Sequence, residues 1–294
     1  MAMSPYPTFE GRPLHDPNEP VFDQGLAFDV ETLLDRRQVL RLVGCAGLSA
    51  GLVTLAACTP GTSGTASPTG LATSTSGASG SPACAVIPEE TGGPFPGDGS
   101  NGPDILSQSG VVRSDIRASF GTSTNVAAGV PLTIKLAIQD LANSCAPLAG
   151  AAVYAWHCDR DGRYSMYSQG VQGENYLRGV QAAGADGVVT FQSIFPACYP
   201  GRWPHIHFEV YPSLEKATDP ANKIATSQVA LPADACAEVY ASEGYSSSKS
   251  GLAQVSLATD GVFGDDGGVH ELGDVSGTVA GGLTVELTAP VQTA

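Results

Sequence analysis

The sequence is short of charge, and above all of basic charge. Only 15% of its 294 residues are charged, and 14 Lys and Arg stand against 29 Asp and Glu for a formal net charge of −15. Nucleic acids and anionic lipid surfaces attract proteins through Lys and Arg, which neutralise phosphate groups. The composition therefore argues against nucleic-acid binding and against electrostatic adhesion to anionic lipid.

Long apolar runs and sustained helical periodicity are also missing. The uncharged stretch 42–57 is about 16 residues long, shorter than the roughly 20 apolar residues that span a bilayer comfortably. The chain is instead rich in turn formers, with 36 Gly and 21 Pro. These features favour one β-rich domain over two helical domains.

Alternating apolar residues predict individual strands. Residues 132–138 place Leu and Ile on one face and Thr, Lys and Ala on the other, and residues 283–288 alternate in the same way. Asp186-Gly187 precedes a Val-Val-Thr-Phe run and predicts a hairpin turn, because Asp-Gly supplies the positive φ of tight hairpins. We expect an all-β fold, an antiparallel β-sandwich with long loops.

The first 57 residues are predicted to be an export leader. Arg36 and Arg37 precede the uncharged 42–57 stretch and resemble a twin-arginine signal, whose route carries folded proteins. The stretch ends in Leu55-Ala-Ala-Cys58, which looks like a bacterial lipobox, so a lipidated Cys58 would attach the protein to the membrane. The alternative is an exported protein that is cut elsewhere and released.

Residues 58–83 form the second segment. They consist almost entirely of Ser, Thr, Gly, Ala and Pro, with too little apolar surface for a core, so we expect a flexible tether. The functional domain is then 84–294, outside the cytoplasmic membrane, either lipid-anchored or secreted. In an oxidising compartment its five cysteines would allow two disulfides and one free thiol, in pairings that the sequence does not decide: Cys84, Cys145, Cys158, Cys198 and Cys236.

A candidate metal site lies in and before the apolar run that begins at His205. In a strand, His205 and His207 would project to the same side, while Ile206 and Phe208 would project to the other. Imidazole suits zinc, copper, iron and nickel alike. Two half-buried strand histidines with ordinary hydrogen bonds, or a zinc hydrolase built on His-x-His, remain alternatives at this point.

Two tyrosines narrow the choice of metal. Tyr199 lies six residues before His205, and Tyr164 lies further upstream. A phenol titrates near 10 in water, so phenolate is a stable ligand at neutral pH only on a strongly Lewis-acidic cation, whereas Zn²⁺ usually takes His, Cys or carboxylate. Fe³⁺ with two phenolates and one hydroxide has zero net charge, which favours burial. The residues indicate non-haem ferric iron.

Several segments together resemble the intradiol ring-cleavage dioxygenases, the protocatechuate and catechol dioxygenases with their smaller exported relatives. The resemblance covers roughly residues 85–290 in the family's order and approximate spacing. Its central element is the Tyr…Tyr…His-x-His set. The segments that carry it are 88–95, 112–116, 153–165, 176–179, 186–191, 194–196, 199–208, 227–228 and 260–263.

The resemblance implies a role for each site residue. Tyr164, Tyr199, His205 and His207 match the four iron ligands, with Tyr199 at the position of the tyrosinate that leaves the metal when substrate binds. Arg202 matches an arginine that lies over the substrate ring. Gln228 matches a polar residue near the site, although the apolar-aromatic run that often follows it is Val-Ala-Leu here.

The implied reaction is Fe(III)-dependent cleavage of a catechol by O₂ between its two hydroxylated carbons. It would give a muconate-type diacid without nicotinamide, flavin or external reductant. The alternative within the same fold is a surface domain that binds catechol-bearing or cell-wall ligands without turnover.

Overall fold

The computed structural model describes residues 84–293 together with two short strands near the N-terminus, β1 (Thr8–Phe9) and β2 (Arg12–Pro13), which pair with each other. The rest of the predicted leader and the whole of the predicted linker lie outside the described residues. The predictions for Arg36, Arg37 and Cys58 therefore stay predictions.

Residues 84–293 fold into two sheets and two short helices. The helices are α1 (Ala233–Tyr240) and α2 (Ser246–Leu252), and neither they nor any other helix in the described residues is long and apolar enough to cross a membrane. The strands are β3 (Pro131–Asp140), β4 (Ala146–Pro147), β5 (Ala152–Trp156), β6 (Arg178–Ala182), β7 (Val188–Ile194), β8 (His205–Tyr211), β9 (Ala225–Ala230), β10 (Asp274–Thr278) and β11 (Gly282–Val291).

The two sheets enclose one large hydrophobic core. The first sheet runs β10-β11-β3-β4, with β7 also paired to β3, and the second runs β6-β5-β8-β9. Buried side chains from both sheets pack in one cluster, among them Phe191 of β7, Phe208 of β8 and Val285 of β11. This arrangement confirms the predicted β-sandwich.

The alternation read from the sequence determines which face of β3 is buried. Leu132, Ile134, Leu136 and Ile138 are at most 1% exposed, whereas the residues between them are partly accessible. Branched apolar side chains at every second position of a strand pack against the facing sheet. The predicted strand at 283–288 is likewise found, within β11.

Two features of the topology differ from the sequence prediction. β11 pairs with β3 in parallel, so the sandwich is mixed rather than purely antiparallel. Asp186-Gly187 does form a tight turn, with Gly187 at φ +75°, but the turn carries the chain from β6 in one sheet to β7 in the other. The predicted hairpin is therefore wrong: the two flanking strands pair with β5 and with β3 instead of with each other.

The outer face of the second sheet is also buried, because long loops cover it. Tyr154 and Trp156 of β5 pack there against Ile105 and Leu106 from the loop that precedes β3. A sheet face buried under loops is a sheltered surface on which polar side chains can be placed away from bulk water. The candidate site lies on this face.

The five cysteines of the domain form one of the two bridges that the sequence allows. Cys84 and Cys145 are joined in a disulfide, which ties the start of the domain to the connection between β3 and β4. Cys158, Cys198 and Cys236 are free thiols buried in the domain. The structure therefore contains one of the two disulfides that the sequence allowed, and the Sγ atom of each of the three free thiols lies near a backbone carbonyl oxygen.

Candidate metal centre

Strand β8 supplies two imidazoles to the loop-covered face. His205 and His207 are 2% and 3% exposed, and their Nε2 atoms lie 3.1 Å apart. Ile206 and Phe208, on the opposite side of the strand, are completely buried in the inter-sheet core. The period of two residues in a strand thus brings both histidines together, as the sequence pattern predicts.

Two loops bring the phenols to the same place. Tyr164 lies in the loop after β5, and Tyr199 lies in the loop that leads into β8. The Tyr164 and Tyr199 hydroxyl oxygens are 3.3 Å apart, and the Tyr199 oxygen is 3.2 Å from Nε2 of His205. Four donor atoms from three segments of the chain therefore converge on one small region.

The protonation states of these groups fit a site for a cation. Burial, followed by the neighbouring charged groups, holds the pKa of both histidines well below the usual range, so both imidazoles are neutral. Burial likewise raises the pKa of Tyr164 and raises that of Tyr199 to about 12. Neutral imidazoles are ready ligands, whereas the phenols would become phenolates only beside a strong Lewis acid.

The ring orientation of His205 supports the same interpretation. Its Nδ1 lies 2.5 Å from the carbonyl oxygen of Trp203, a contact that places the ring hydrogen on Nδ1 and leaves a lone pair on Nε2. The donor set is thus two imidazole nitrogens and two phenol oxygens, which fits a ferric ion better than zinc. Within the described residues, no group of three or more His, Cys, Asp or Glu forms a metal-binding arrangement.

Arg202 lies at the edge of this cluster, at the more accessible side. Its Nη1 is 3.4 Å from Nε2 of His205, and its Nη2 donates to Oε1 of Gln228 over 2.7 Å. Arg202 and Tyr199 are partly exposed, whereas Tyr164, His205 and His207 are buried. The structure therefore brings together all six residues that the sequence analysis selected, and it opens the cluster towards solvent beside Tyr199 and Arg202.

Trp156 was not selected from the sequence, yet it contacts His207 directly. The two residues are cross-strand neighbours on β5 and β8, and their rings stack with centroids 4.8 Å apart and planes inclined by 4°. Nδ1 of His207 lies near the Thr91 carbonyl without forming a hydrogen bond of normal geometry. His205 is thus oriented by a hydrogen bond, whereas His207 is oriented by stacking.

Asp260, like Trp156, contacts the site although the sequence analysis gave it no role there. Its Oδ2 accepts from Nε of Arg202 over 3.0 Å, and its side chain is completely buried. The sequence contains it in the Asp260-Gly-Val-Phe263 segment, but the spacing of 58 residues from Arg202 gives no sign of the contact.

His157, by contrast, is a structural residue. It lies in the same segment as Trp156, and its ring nitrogens contact the Cys158 carbonyl oxygen and the Ser193 hydroxyl at 2.7 and 2.6 Å. With both nitrogens occupied, this ring has no free position for a ligand.

Comparisons with known proteins agree on the class to which this fold belongs. Residues 102–218 match a protein family described as Dioxygenase. Among solved structures, an intradiol ring-cleavage dioxygenase from Tetranychus urticae is similar with a TM-score of 0.57 and 24% identity, over 71% of this chain and 95% of that one. At this level of identity the likeness shows a shared fold.

A chlorocatechol 1,2-dioxygenase from Rhodococcus opacus is 38% identical over 53 residues. The match spans 18% of this chain and only 21% of the relative. The family match thus covers residues 102–218, and the similar solved structure from Tetranychus urticae is an intradiol ring-cleavage dioxygenase.

Proposed function

We propose that this protein is a ferric-iron dioxygenase that opens the ring of catechols between the two hydroxylated carbons, giving muconate-type diacids. The observation that carries the proposal is the convergence of two phenols and two imidazoles beside a guanidinium, with successive donor atoms from Tyr164 through Tyr199 and His205 to His207 only 3.1–3.3 Å apart. The match of residues 102–218 to the Dioxygenase family and the fold shared with an intradiol ring-cleavage dioxygenase support the same reaction class.

Four residues would hold the iron: Tyr164, Tyr199, His205 and His207. Ferric iron bound there would supply the Lewis acidity that makes phenolate a stable ligand and that draws electron density from a chelated catechol. The buried residues Tyr164, His205 and His207 would form the constant part of the site.

Tyr199 is suited to exchange with the substrate. It is the most accessible of the four candidate ligands, and it belongs to a loop rather than to a strand. A catechol must lose two protons to chelate a metal through both oxygens, and the Tyr199 oxygen would accept one of them as a general base.

Arg202 would stabilise the negative charge that develops on the substrate ring. Burial alone would lower its pKa, but Tyr199 and Asp260 raise it, so the guanidinium stays charged. A fixed cation next to the reacting carbon stabilises a carbanion-like state more than the ground state.

The accessible side of the site, beside Tyr199 and Arg202, supports a broad substrate range among catechols. For a protein that is exported, as we also propose, such substrates would be aromatic compounds met outside the cytoplasmic membrane. The lipidated Cys58 would then keep the domain near the cell surface.

Visible colour and oxygen uptake test the proposal together. Tyrosinate bound to Fe³⁺ should make the purified protein red-brown, and a panel of catechols should cause oxygen uptake with formation of diacids identified by mass. Colour without uptake on any catechol would favour a non-catalytic binding domain. A colourless protein that retains zinc would favour the hydrolase alternative.

A further inference from the structure

The guanidinium of Arg202 is fixed on two of its three nitrogen positions. Its Nε donates to Asp260 over 3.0 Å, and its Nη2 donates to Gln228 over 2.7 Å. Gln228 is itself held, because its Nε2 donates to the Thr91 carbonyl oxygen over 2.8 Å. The remaining nitrogen, Nη1, is the one that lies 3.4 Å from His205 and faces the donor cluster.

Asp260 is more rigidly held than a surface carboxylate. One oxygen, Oδ1, accepts from the backbone N–H groups of Val262 and Phe263 over 2.8 and 3.0 Å. The other, Oδ2, accepts from the Trp203 N–H over 2.6 Å as well as from Arg202. The carboxylate thus connects the turn that starts at Asp260 to the segment that leads into β8.

The charges of this pair balance within a buried region. Arg202 has 18% of its side chain exposed and Asp260 has none, so each charge depends on the other for compensation. A carboxylate that binds Nε also determines the plane and the rotation of the guanidinium, since the fork geometry of Arg is directional.

We infer that Asp260 is a positioning residue, which holds the Arg202 guanidinium with Nη1 towards the catechol ring and neutralises it in the substrate-free site. The inference rests on the proposed function. Substitution of Asp260 should therefore lower kcat without weakening the interaction with substrate. Neither a packing role nor an iron-binding role would produce that combination.

Asp260→Asn tests the inference with little change of shape. We expect iron content and colour to remain at the parent's level, kcat to fall about 10- to 100-fold, and KM for catechol to stay level or fall. KM should not rise because the uncompensated Arg202 charge attracts the catecholate that forms when catechol loses its protons on binding. Asp260→Glu, which keeps the charge but moves it, should lower kcat as well, and it provides a second variant should the Asn form fold poorly.

A double-mutant cycle separates positioning from other effects. If Asp260 acts through Arg202, then Asp260→Asn should cause no further loss of kcat in an Arg202→Leu background. The matched control is Asp98→Asn, which also removes a fully buried carboxylate from an ion pair, here with Lys223. The control should lower stability, and any change that it makes in kcat should add to that of Arg202→Leu, because its partner is Lys223 and not Arg202.

Three results would overturn the inference: parental kcat in Asp260→Asn, loss of iron in that variant, or an additional loss of kcat in the Arg202→Leu background. Failure of the parent to cleave any catechol would overturn the proposed function instead. In that case anaerobic titration with catechol decides the role of Asp260, because its substitution should change catechol affinity only while Arg202 is present.

Discussion

At the scale of single residues, two histidines on one strand are held in different ways. Nδ1 of His205 contacts the Trp203 carbonyl oxygen, while His207 lies against the Trp156 ring and close to Gly93. A Cβ added at Gly93 would lie 3.4 Å from Cε1 of His207, at a φ of +68° that favours glycine. The loop backbone and the indole therefore confine the second imidazole from two directions.

The two histidines give the first prediction. His205→Ala and His207→Ala should each abolish iron binding and colour, because removing either imidazole leaves too few protein ligands. His157→Gln is the control, since His157 is also a buried histidine but bonds only to Cys158 and Ser193. Metal analysis and the visible spectrum provide the measurement, and a His205 or His207 variant with full iron and full absorbance would remove that residue from the site.

The site residues that the sequence identifies carry local signals, whereas the two that it does not identify make contacts that depend on the tertiary fold. His205 and His207 could be found because a strand places every second side chain on one face. Tyr164 and Tyr199 could be found because phenols are ligands for ferric iron, and Arg202 because of the family resemblance. Trp156 and Asp260 could not be assigned roles. Their contacts depend on the register between β5 and β8 and on the path of a loop 58 residues away, neither of which a local pattern specifies.

At the scale of elements, several contacts hold the segment from residue 84 to residue 101 against the sandwich beside the site. The buried Arg178 guanidinium donates to the carbonyl oxygens of Phe95 and Pro96 over 2.9 and 2.8 Å. Lys223 bridges Asp98 and Glu209 at 3.1 and 2.9 Å, and Glu209 is on β8, two residues beyond His207. The disulfide of Cys84 fixes the start of this segment.

That disulfide gives the second prediction. Replacing Cys84 and Cys145 together by Ser should lower the free energy of unfolding by about 2 to 4 kcal/mol, because the bridge closes a long loop in the unfolded chain. Denaturant unfolding provides the measurement, and the parent under reducing conditions is the control. An unchanged midpoint in the double variant would show that the bridge contributes little to stability.

The third prediction concerns Glu271, in the segment between Asp260 and β10. Glu271 is completely buried, and its carboxyl oxygens form no hydrogen bond of normal geometry, although the Ser227 hydroxyl is close enough to lower the pKa slightly. Burial, and then the charges of Glu90, Asp266 and Asp265, raise the pKa of Glu271 from 4.5 to about 8.

The sign of the effect on stability follows from the raised pKa. The folded protein keeps the Glu271 proton up to about pH 8, whereas the unfolded chain releases it near 4.5, so stability falls as pH rises through this window. Glu271→Gln does not titrate and should gain stability relative to the parent as pH rises to about 8. Unfolding midpoints across this range test it against Glu286→Gln, a control whose parent side chain is 57% exposed. Equal pH dependence in parent and Glu271→Gln would contradict the assignment.

At the scale of the whole molecule, the sequence predicts the sandwich but not the way its sheets are joined. Alternation in 132–138 and 283–288 is a local signal and is confirmed. The parallel pairing of these two strands joins segments about 150 residues apart, and no local pattern carries that information. The same holds for the Asp186-Gly187 turn. Its two residues predict the tight turn, but they do not determine which sheet the following strand, β7, joins.

The fourth prediction concerns export of the whole protein. Changing Arg36 and Arg37 together to Lys should leave the protein in the cytoplasm, because the paired arginines are the feature that the twin-arginine route reads. Changing Cys58 to Ser should release the protein from the membrane or block its processing. Cell fractionation provides the measurement, with Cys45→Ser as the control; unchanged membrane attachment of the Cys58 variant would show that the lipobox interpretation is wrong.

The central claim is that this domain opens catechol rings with both atoms of O₂. The direct measurement is turnover of catechol by the purified iron-containing protein under ¹⁸O₂, followed by mass analysis of the product. We expect a ring-opened diacid that carries two ¹⁸O atoms. Recovery of unchanged catechol, or of a product without ¹⁸O, would contradict the account.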